Sequence, residues 1–200
     1  MMSSNFLLSC IIYLIYIIIR SNETIHMLQQ NKYNAKGTYV KWLVKNKDKA
    51  FYGKSVMFLV LLFFLIYKNS MVLLVFFNVI YLILIIDELT RGGQNKLPLK
   101  FTSRVKRLIV TNTLVHALII FLLSMIVKNS NLVYIYIVLG FIAYINSISV
   151  LLSIYINTPI EKCVGLYYKN MAKNKLKSMN NLKVIGITGS YGKTSSKNIL

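Results

Sequence analysis

Five long apolar runs, with charges only at their edges, constrain this chain more than any other feature of its sequence. The runs cover residues 6–19, 55–67, 71–86, 108–127 and 132–156. A helix needs roughly 20 mostly apolar residues to cross about 30 Å of hydrocarbon. The pattern therefore predicts an α-helical, multi-pass membrane region of about five spans over residues 1–156.

The second and third runs are short for full crossings, and Lys68, Asn69 and Ser70 separate them. Two interpretations remain open. The runs form a tight two-helix hairpin, lengthened by Phe51 and Tyr52 with Lys54 reaching to the interface, or they form a re-entrant pair. Both return the chain to the side that it left.

The distribution of charge predicts the orientation of these spans. The chain has 24 lysines and arginines against 5 acidic residues, and only Lys68 and Lys128 lie outside three alternate connections. The positive-inside rule then places the N-terminus outside and the C-terminal segment in the cytoplasm of a multi-pass cell-membrane protein. The expected partner is a lipid bilayer with an anionic inner leaflet.

Composition excludes other classes of protein. A chain that is 56% hydrophobic is too apolar for a basic, soluble nucleic-acid module, so no nucleic-acid partner is expected. Cys10 and Cys163 are too few for a disulfide scaffold, and the predicted topology separates them.

Polar residues inside the runs are candidates for a site. Asn112, Thr113 and His116 share one side of the fourth run, Asn78 lies in the third, and Asn146, Ser147 and Ser149 lie in the fifth. Intramembrane polar groups suggest function by default, but hydrogen bonding between helices explains them as well and is the favoured interpretation. Asp87 and Glu88 make a poor acid/base pair, because neighbours in a helix point to different sides, and they are interpreted as a solvated helix end.

The first basic connection contains a short amphipathic pattern. Tyr39, Trp42 and Leu43 recur at helical spacing, with Lys41 and Lys45 on another face. The pattern suits a short helix in the membrane interface, and a solvated loop is the alternative.

Residues 157–181 read as a juxtamembrane amphipathic basic helix. Thr158 is a candidate N-cap, Pro159 a first helical residue and Glu161 the third residue after the cap. Apolar residues then recur at helical spacing among lysines, so the helix lies on the membrane or on the folded domain that follows.

The end of the chain combines a predicted strand, 182–187, with a glycine-rich loop and the start of a helix. This order is typical of a phosphate-binding loop, in which backbone N–H groups and the helix N-terminus hold phosphates. The predicted ATP-binding residues are Thr188, Gly189, Ser190, Tyr191, Gly192, Lys193, Thr194 and Ser195. Lys193 reaches the β- and γ-phosphates as the catalytic residue, and the Thr194 hydroxyl ligates Mg²⁺.

The run from Val184 to Lys197, with glycines at 186, 189 and 192, resembles the ATP-binding loop of the Mur ligase family. It is most similar to the branch that adds D-alanyl-D-alanine to UDP-N-acetylmuramoyl-tripeptide. A membrane-spanning N-terminal region, as in some of these ligases, is a weaker similarity that rests on architecture. The fold class expected is thus a helical membrane region followed by the beginning of an α/β ATP-binding domain over 182–200.

The resemblance implies an ATP-dependent ligase of peptidoglycan precursor synthesis. ATP phosphorylates a carboxylate, an amine attacks the acyl phosphate, and an amide, ADP and phosphate result. It also implies a nucleotide-sugar peptide substrate whose site lies elsewhere. The chain is expected to be an N-terminal fragment that is inactive alone.

Three other functions stay open at this point. A related ligase with the same loop makes an acidic polymer such as a poly-glutamate capsule. A membrane scaffold recruits wall-building partners and has a regulatory or degenerate ATP site. A transport ATPase is the least favoured, because its motor domain is usually separate from its spans.

Overall fold

The structure is a computed structural model that describes residues 4–51, 70–92, 99–126 and 132–179. The described residues form helices joined by short turns. The bounds are α1 Ser4–Gln30, α2 Val40–Lys45, α3 Lys47–Ala50, α4 Ser70–Gly92, α5 Ser103–Ile126, α6 Leu132–Tyr144 and α7 Asn146–Lys177, with a π-helical turn at Ala35–Tyr39.

Three helices are long and apolar enough to cross a membrane. They cover Asn5–Gln30, Met71–Arg91 and Ser103–Ile126, and a fourth crossing results if α6 and α7 count as one bent span. These lengths are compatible with a membrane protein. The predicted number of five spans is wrong for the described residues, and the predicted span over 55–67 lies outside them.

The fold class predicted from the sequence is also wrong. The described residues are mostly helical and contain no strand, so the described part of the chain shows no α/β ATP-binding domain. The strand and loop predicted at 182–200 lie outside the described residues. The prediction inferred a whole domain from a short glycine-rich motif. A motif of that length is too short to form a hydrophobic core and so does not establish a domain.

The chain divides into two units, at Met1–Pro159 and Ile160–Leu200. In the first unit α1 packs against α4 and α5, and α6 packs against α4 and α5 as well. An aromatic cluster fills this contact. Its rings belong to Phe6, Tyr13, Tyr16, Phe77, Tyr81 and Tyr136.

The helix α1 is longer than its apolar run. Its apolar part was expected over 6–19, whereas the helix continues through Arg20 to Gln30. The added turns bury Ile25, Met27 and Leu28 in a second core cluster with Tyr39, Val105 and Val150. Apolar burial therefore extends the helix past the residue where the first charge appears.

The predicted fifth span is broken. The helices α6 and α7 meet at Ile145 with a bend of 74°. The residues after the break, Asn146 and Ser147, are buried polar residues whose hydrogen bonds go to other parts of the first unit. The sequence predicts a single span over 132–156, because hydropathy averages over such polar residues.

The predicted helix start at Thr158 and Pro159 is wrong. Pro159 lies inside α7, and the Thr158 hydroxyl donates to the carbonyl of Ile154 at 2.9 Å instead of capping a new helix. Proline has no N–H to donate and usually kinks a helix that contains it. The division of the chain into two units falls directly after this residue.

Candidate functional site

The predicted ATP-binding residues, Thr188 to Ser195 with Lys193 and Thr194 among them, lie outside the described residues. In the part of the chain that the structure describes, no group of three or more His, Cys, Asp or Glu side chains is arranged to hold a metal ion.

The polar residues predicted inside the membrane runs do come together, and Asn112 is at their centre. Its amide nitrogen donates to the Ser21 hydroxyl at 2.9 Å and to Asn146 Oδ1 at 3.1 Å. Its Oδ1 accepts from the Ser149 hydroxyl at 2.8 Å and from the Ser153 hydroxyl at 3.3 Å. One side chain of α5 thus joins α1 and α7.

His116 extends this network on the same face of α5. The ring is fully buried, with Nδ1 2.8 Å from the Tyr13 hydroxyl and Nε2 3.0 Å from the Ser149 hydroxyl. The other neighbours of Ser149 Oγ are oxygens of Asn112 and Asn146 that only accept. Ser149 therefore donates to one of them, His116 Nε2 donates to Ser149, and Nδ1 accepts from Tyr13.

The network continues along α7 to Asn157. Its amide donates to the Thr111 hydroxyl at 2.8 Å and to the Ser153 carbonyl at 2.9 Å. Two predicted members lie outside the network. The Thr113 hydroxyl donates to its own helix at Ile109, and Asn78 Oδ1 is buried with no hydrogen bond to the described residues.

These contacts favour the interpretation of helix association. Each member of the central group has a donor or acceptor opposite it, as buried polar groups require. Interhelical hydrogen bonds of this kind contribute roughly 0.6–2 kcal/mol each. The network holds the broken span α6–α7 against α1 and α5.

A buried ion pair was missed by the sequence analysis. The Arg20 guanidinium donates to Glu88 Oε1 at 2.9 Å and to Glu23 Oε2 at 2.6 Å. Arg20 and Glu88 are both buried. Interpreting Glu88 as part of a solvated helix end is therefore wrong, because a buried carboxylate needs this partner.

The signal for that pair was present in the sequence. Arg20 and Glu88 follow the first and third apolar runs, whose ends lie on one side of the membrane in the predicted topology. Opposite charges at neighbouring helix ends pair when the helices are adjacent. Asp87, the chain neighbour of Glu88, faces away and pairs instead with Arg91 at 3.1 Å on the surface.

The described segment over 39–51 is docked on the bundle, and the predicted short helix is present in it as α2. The buried Tyr39 hydroxyl donates to the carbonyl of Ser147. Burial raises the pKa of the Tyr39 phenol, although Arg20 and this hydrogen bond act in the opposite direction, so the hydroxyl keeps its proton. The Tyr39 and Trp42 rings stack at 6.1 Å.

Arg20 and Ser147 hold the end of the same segment. Arg20 donates to the carbonyls of Lys49 and Ala50, and the Ser147 hydroxyl donates to the Ala50 carbonyl at 2.7 Å. These are the last carbonyls of α3, which have no partner within the helix. The side chains that follow the break in the span therefore also fix this segment.

The described part of the second unit is a helical segment with large exposed apolar side chains. They belong to Ile160, Leu166, Tyr167, Tyr168, Met171, Leu176 and Met179. Cys163 is an exposed free thiol in this segment, whereas Cys10 is a buried free thiol of α1.

Comparison of the chain with known protein families, with curated proteins and with solved structures finds no match in any of the three. No family is therefore shown. The only sequence motif behind the likeness to the Mur ligases is the run from Val184 to Lys197.

Proposed function

We propose that this chain is the membrane-embedded part of an ATP-dependent amide ligase, with the ATP-binding residues in the cytoplasm. The observation that carries the proposal is the sequence Gly186-x2-Gly189-x2-Gly192-Lys193-Thr194, which follows the helical membrane region within the same chain. Chance produces such a glycine, lysine and threonine pattern rarely, since glycine is only about 7% of residues.

The residue types fit the chemistry. Glycines allow consecutive backbone N–H groups to face a phosphate. The Lys193 ammonium group binds the β- and γ-phosphate oxygens, and the Thr194 hydroxyl is a ligand for Mg²⁺. Charge on the phosphoryl group during transfer is stabilised by such positioned cations.

The reaction proposed has two steps. A substrate carboxylate attacks the γ-phosphate of ATP, which gives an acyl phosphate and ADP. An amine then attacks the acyl carbon, an amide bond forms, and phosphate leaves with one of the original carboxylate oxygens. The proposed substrate is a nucleotide-sugar peptide of peptidoglycan precursor synthesis, and an acidic homopolymer is the second candidate.

ATP binding is tested by photolabelling the chain in membranes with an azido-ATP analogue. We expect labelling that unlabelled ATP competes away and that Lys193→Ala weakens about tenfold or more, as loss of a charged hydrogen bond to phosphate predicts. Lys197→Ala is the matched control, since it removes a nearby lysine that follows the glycine pattern. Equal labelling of both variants contradicts the assignment of Lys193.

The ligase chemistry is tested by isotope transfer in the full-length protein, which is the form expected to be active. A substrate carboxylate labelled with ¹⁸O must deliver one labelled oxygen to inorganic phosphate when the amide forms. A transport ATPase releases phosphate without that label, because water supplies the oxygen, and a scaffold releases no phosphate. If unlabelled ATP prevents the photolabelling but no ¹⁸O reaches phosphate, the chain has the nucleotide site and is not a ligase.

A further inference from the structure

The segment from Tyr39 to Phe51, which contains α2 and α3, packs against the first unit on one side and exposes lysines on the other. We propose that this segment is a binding surface for anionic phospholipid headgroups. The proposal is independent of the nucleotide chemistry above, because it uses only the first unit of the chain.

The inward side of the segment is fixed. Tyr39 is fully buried, and Trp42 and Leu43 pack against the second core cluster. At the other end, Ala50 is buried and its carbonyl accepts from Ser147 and Arg20. A surface held at both ends loses little further conformational entropy when it binds a ligand.

The outward side combines apolar and cationic side chains. Val40 and Val44, one helical turn apart, are both exposed, and Val44 has 64% of its surface accessible. Lys41 and Lys45 are also one turn apart and exposed beside them. Exposed valines next to lysines suit an interface in which acyl chains and phosphates lie side by side.

The charge of the segment is complementary to an anionic lipid. Four exposed lysines, Lys41, Lys45, Lys47 and Lys49, stand against the single carboxylate of Asp48. Clusters of this size near a membrane attract phosphatidylserine, phosphatidylglycerol and similar headgroups. A neutral partner makes no use of such an excess.

The position of the segment along the chain places it at headgroup depth. The candidate span Asn5–Gln30 has 26 residues, which at 1.5 Å each is about 39 Å, against about 30 Å for the hydrocarbon core. At least one end of α1 therefore extends beyond the hydrocarbon core, and the polar end, from Arg20 to Gln30, is the one next to the segment. Only the turn over 31–34 separates that helix from the π-helical turn that leads into the segment.

Trp42 is the only tryptophan in the chain, so it reports on this segment without labelling. The whole chain is reconstituted in vesicles of mixed phosphatidylcholine and phosphatidylglycerol. In one sample the phosphatidylglycerol is brominated near the headgroup end of its acyl chains, and in the other the phosphatidylcholine is brominated. The quantity measured is the ratio of Trp42 quenching by the anionic lipid to quenching by the neutral lipid.

We expect this ratio to exceed one by about twofold or more at equal mole fractions, because four nearby lysines enrich the anionic lipid. The variant with Lys41, Lys45, Lys47 and Lys49 all changed to Gln brings the ratio to one. The pairs K41Q/K45Q and K47Q/K49Q lower it partially. The control, with Lys169, Lys173, Lys175 and Lys177 changed to Gln, removes equal charge from the second unit and leaves the ratio unchanged.

Several outcomes overturn the proposal. A ratio of one in the unaltered chain shows no preference for anionic lipid. Absence of quenching by both lipids shows that protein or water covers the segment. If the quenching ratio is unchanged in the variant with all four lysines replaced, or falls as much in the control variant, other charges cause the preference.

Discussion

Glu88 and Asp87 show how strongly the position of one residue on a helix decides its environment. The two carboxylates are chain neighbours, yet Glu88 is buried against Arg20 and Asp87 is half-exposed against Arg91. A buried ion pair is weak evidence of stability, but removal of one partner leaves the other charge buried and unpaired. The two residues therefore form a matched pair for mutation.

We expect Glu88→Gln to destabilise the protein by about 3 kcal/mol, because the buried Arg20 loses its buried carboxylate partner. Asp87→Asn is expected to change stability by less than about 1 kcal/mol, as is usual for an exposed pair. Reversible unfolding of the purified protein in mixed micelles measures both. Equal losses in the two variants contradict the assignment of Glu88 to a buried ion pair.

The break between α6 and α7 is the feature of this fold that helix-by-helix analysis does not predict. The run over 132–156 looked continuous because its few polar residues hardly change its average hydropathy. In the structure those residues bond to α1, α5 and the α3 carbonyls, and the helix bends by 74° at Ile145. The partners that satisfy Asn146 and Ser147 are distant in sequence, so only packing reveals them.

Asn112 is expected to contribute most to this arrangement. Asn112→Ala removes contacts to Ser21, Asn146, Ser149 and Ser153 and is expected to lower the free energy of unfolding by about 2–4 kcal/mol. Thr113→Ala is the matched control, because its hydroxyl bonds only within α5, and less than about 1 kcal/mol is expected.

The same unfolding measurement in mixed micelles checks this pair. A Thr113→Ala loss as large as that of Asn112→Ala would assign the effect to helix propensity rather than to the network.

At the scale of the whole molecule, the unequal distribution of lysines predicts a cytoplasmic second unit. The positive-inside rule depends on charge in the connections and not on how the helices pack. The prediction also requires the runs over 55–67 and 71–86 to return the chain to the side that it left, as the sequence analysis expects. The ligase proposal requires a cytoplasmic second unit, because ATP is available only in the cytoplasm.

The two native cysteines test this orientation without engineered residues. Cys163 is exposed and Cys10 is buried, so a membrane-impermeant maleimide is expected to label Cys163 from the cytoplasmic face only. Inside-out and right-side-out vesicles provide the two faces. Cys163→Ser should abolish labelling, and labelling of the unaltered chain from the outer face would reject the cytoplasmic assignment.

The sequence by itself determined the helical, apolar character of the chain, because hydropathy over some 20 residues is a local property. It also predicted hydrogen bonding between helices for Asn112, His116, Asn146 and Ser149, although it grouped Thr113 and Asn78 with them and these lie outside the network. Only the tertiary structure decided that α1 continues past Arg20, that the last apolar run is broken, and that Arg20 pairs with Glu88. Each of these depends on a partner far along the chain, and helix pairing, not residue order, brings those partners together.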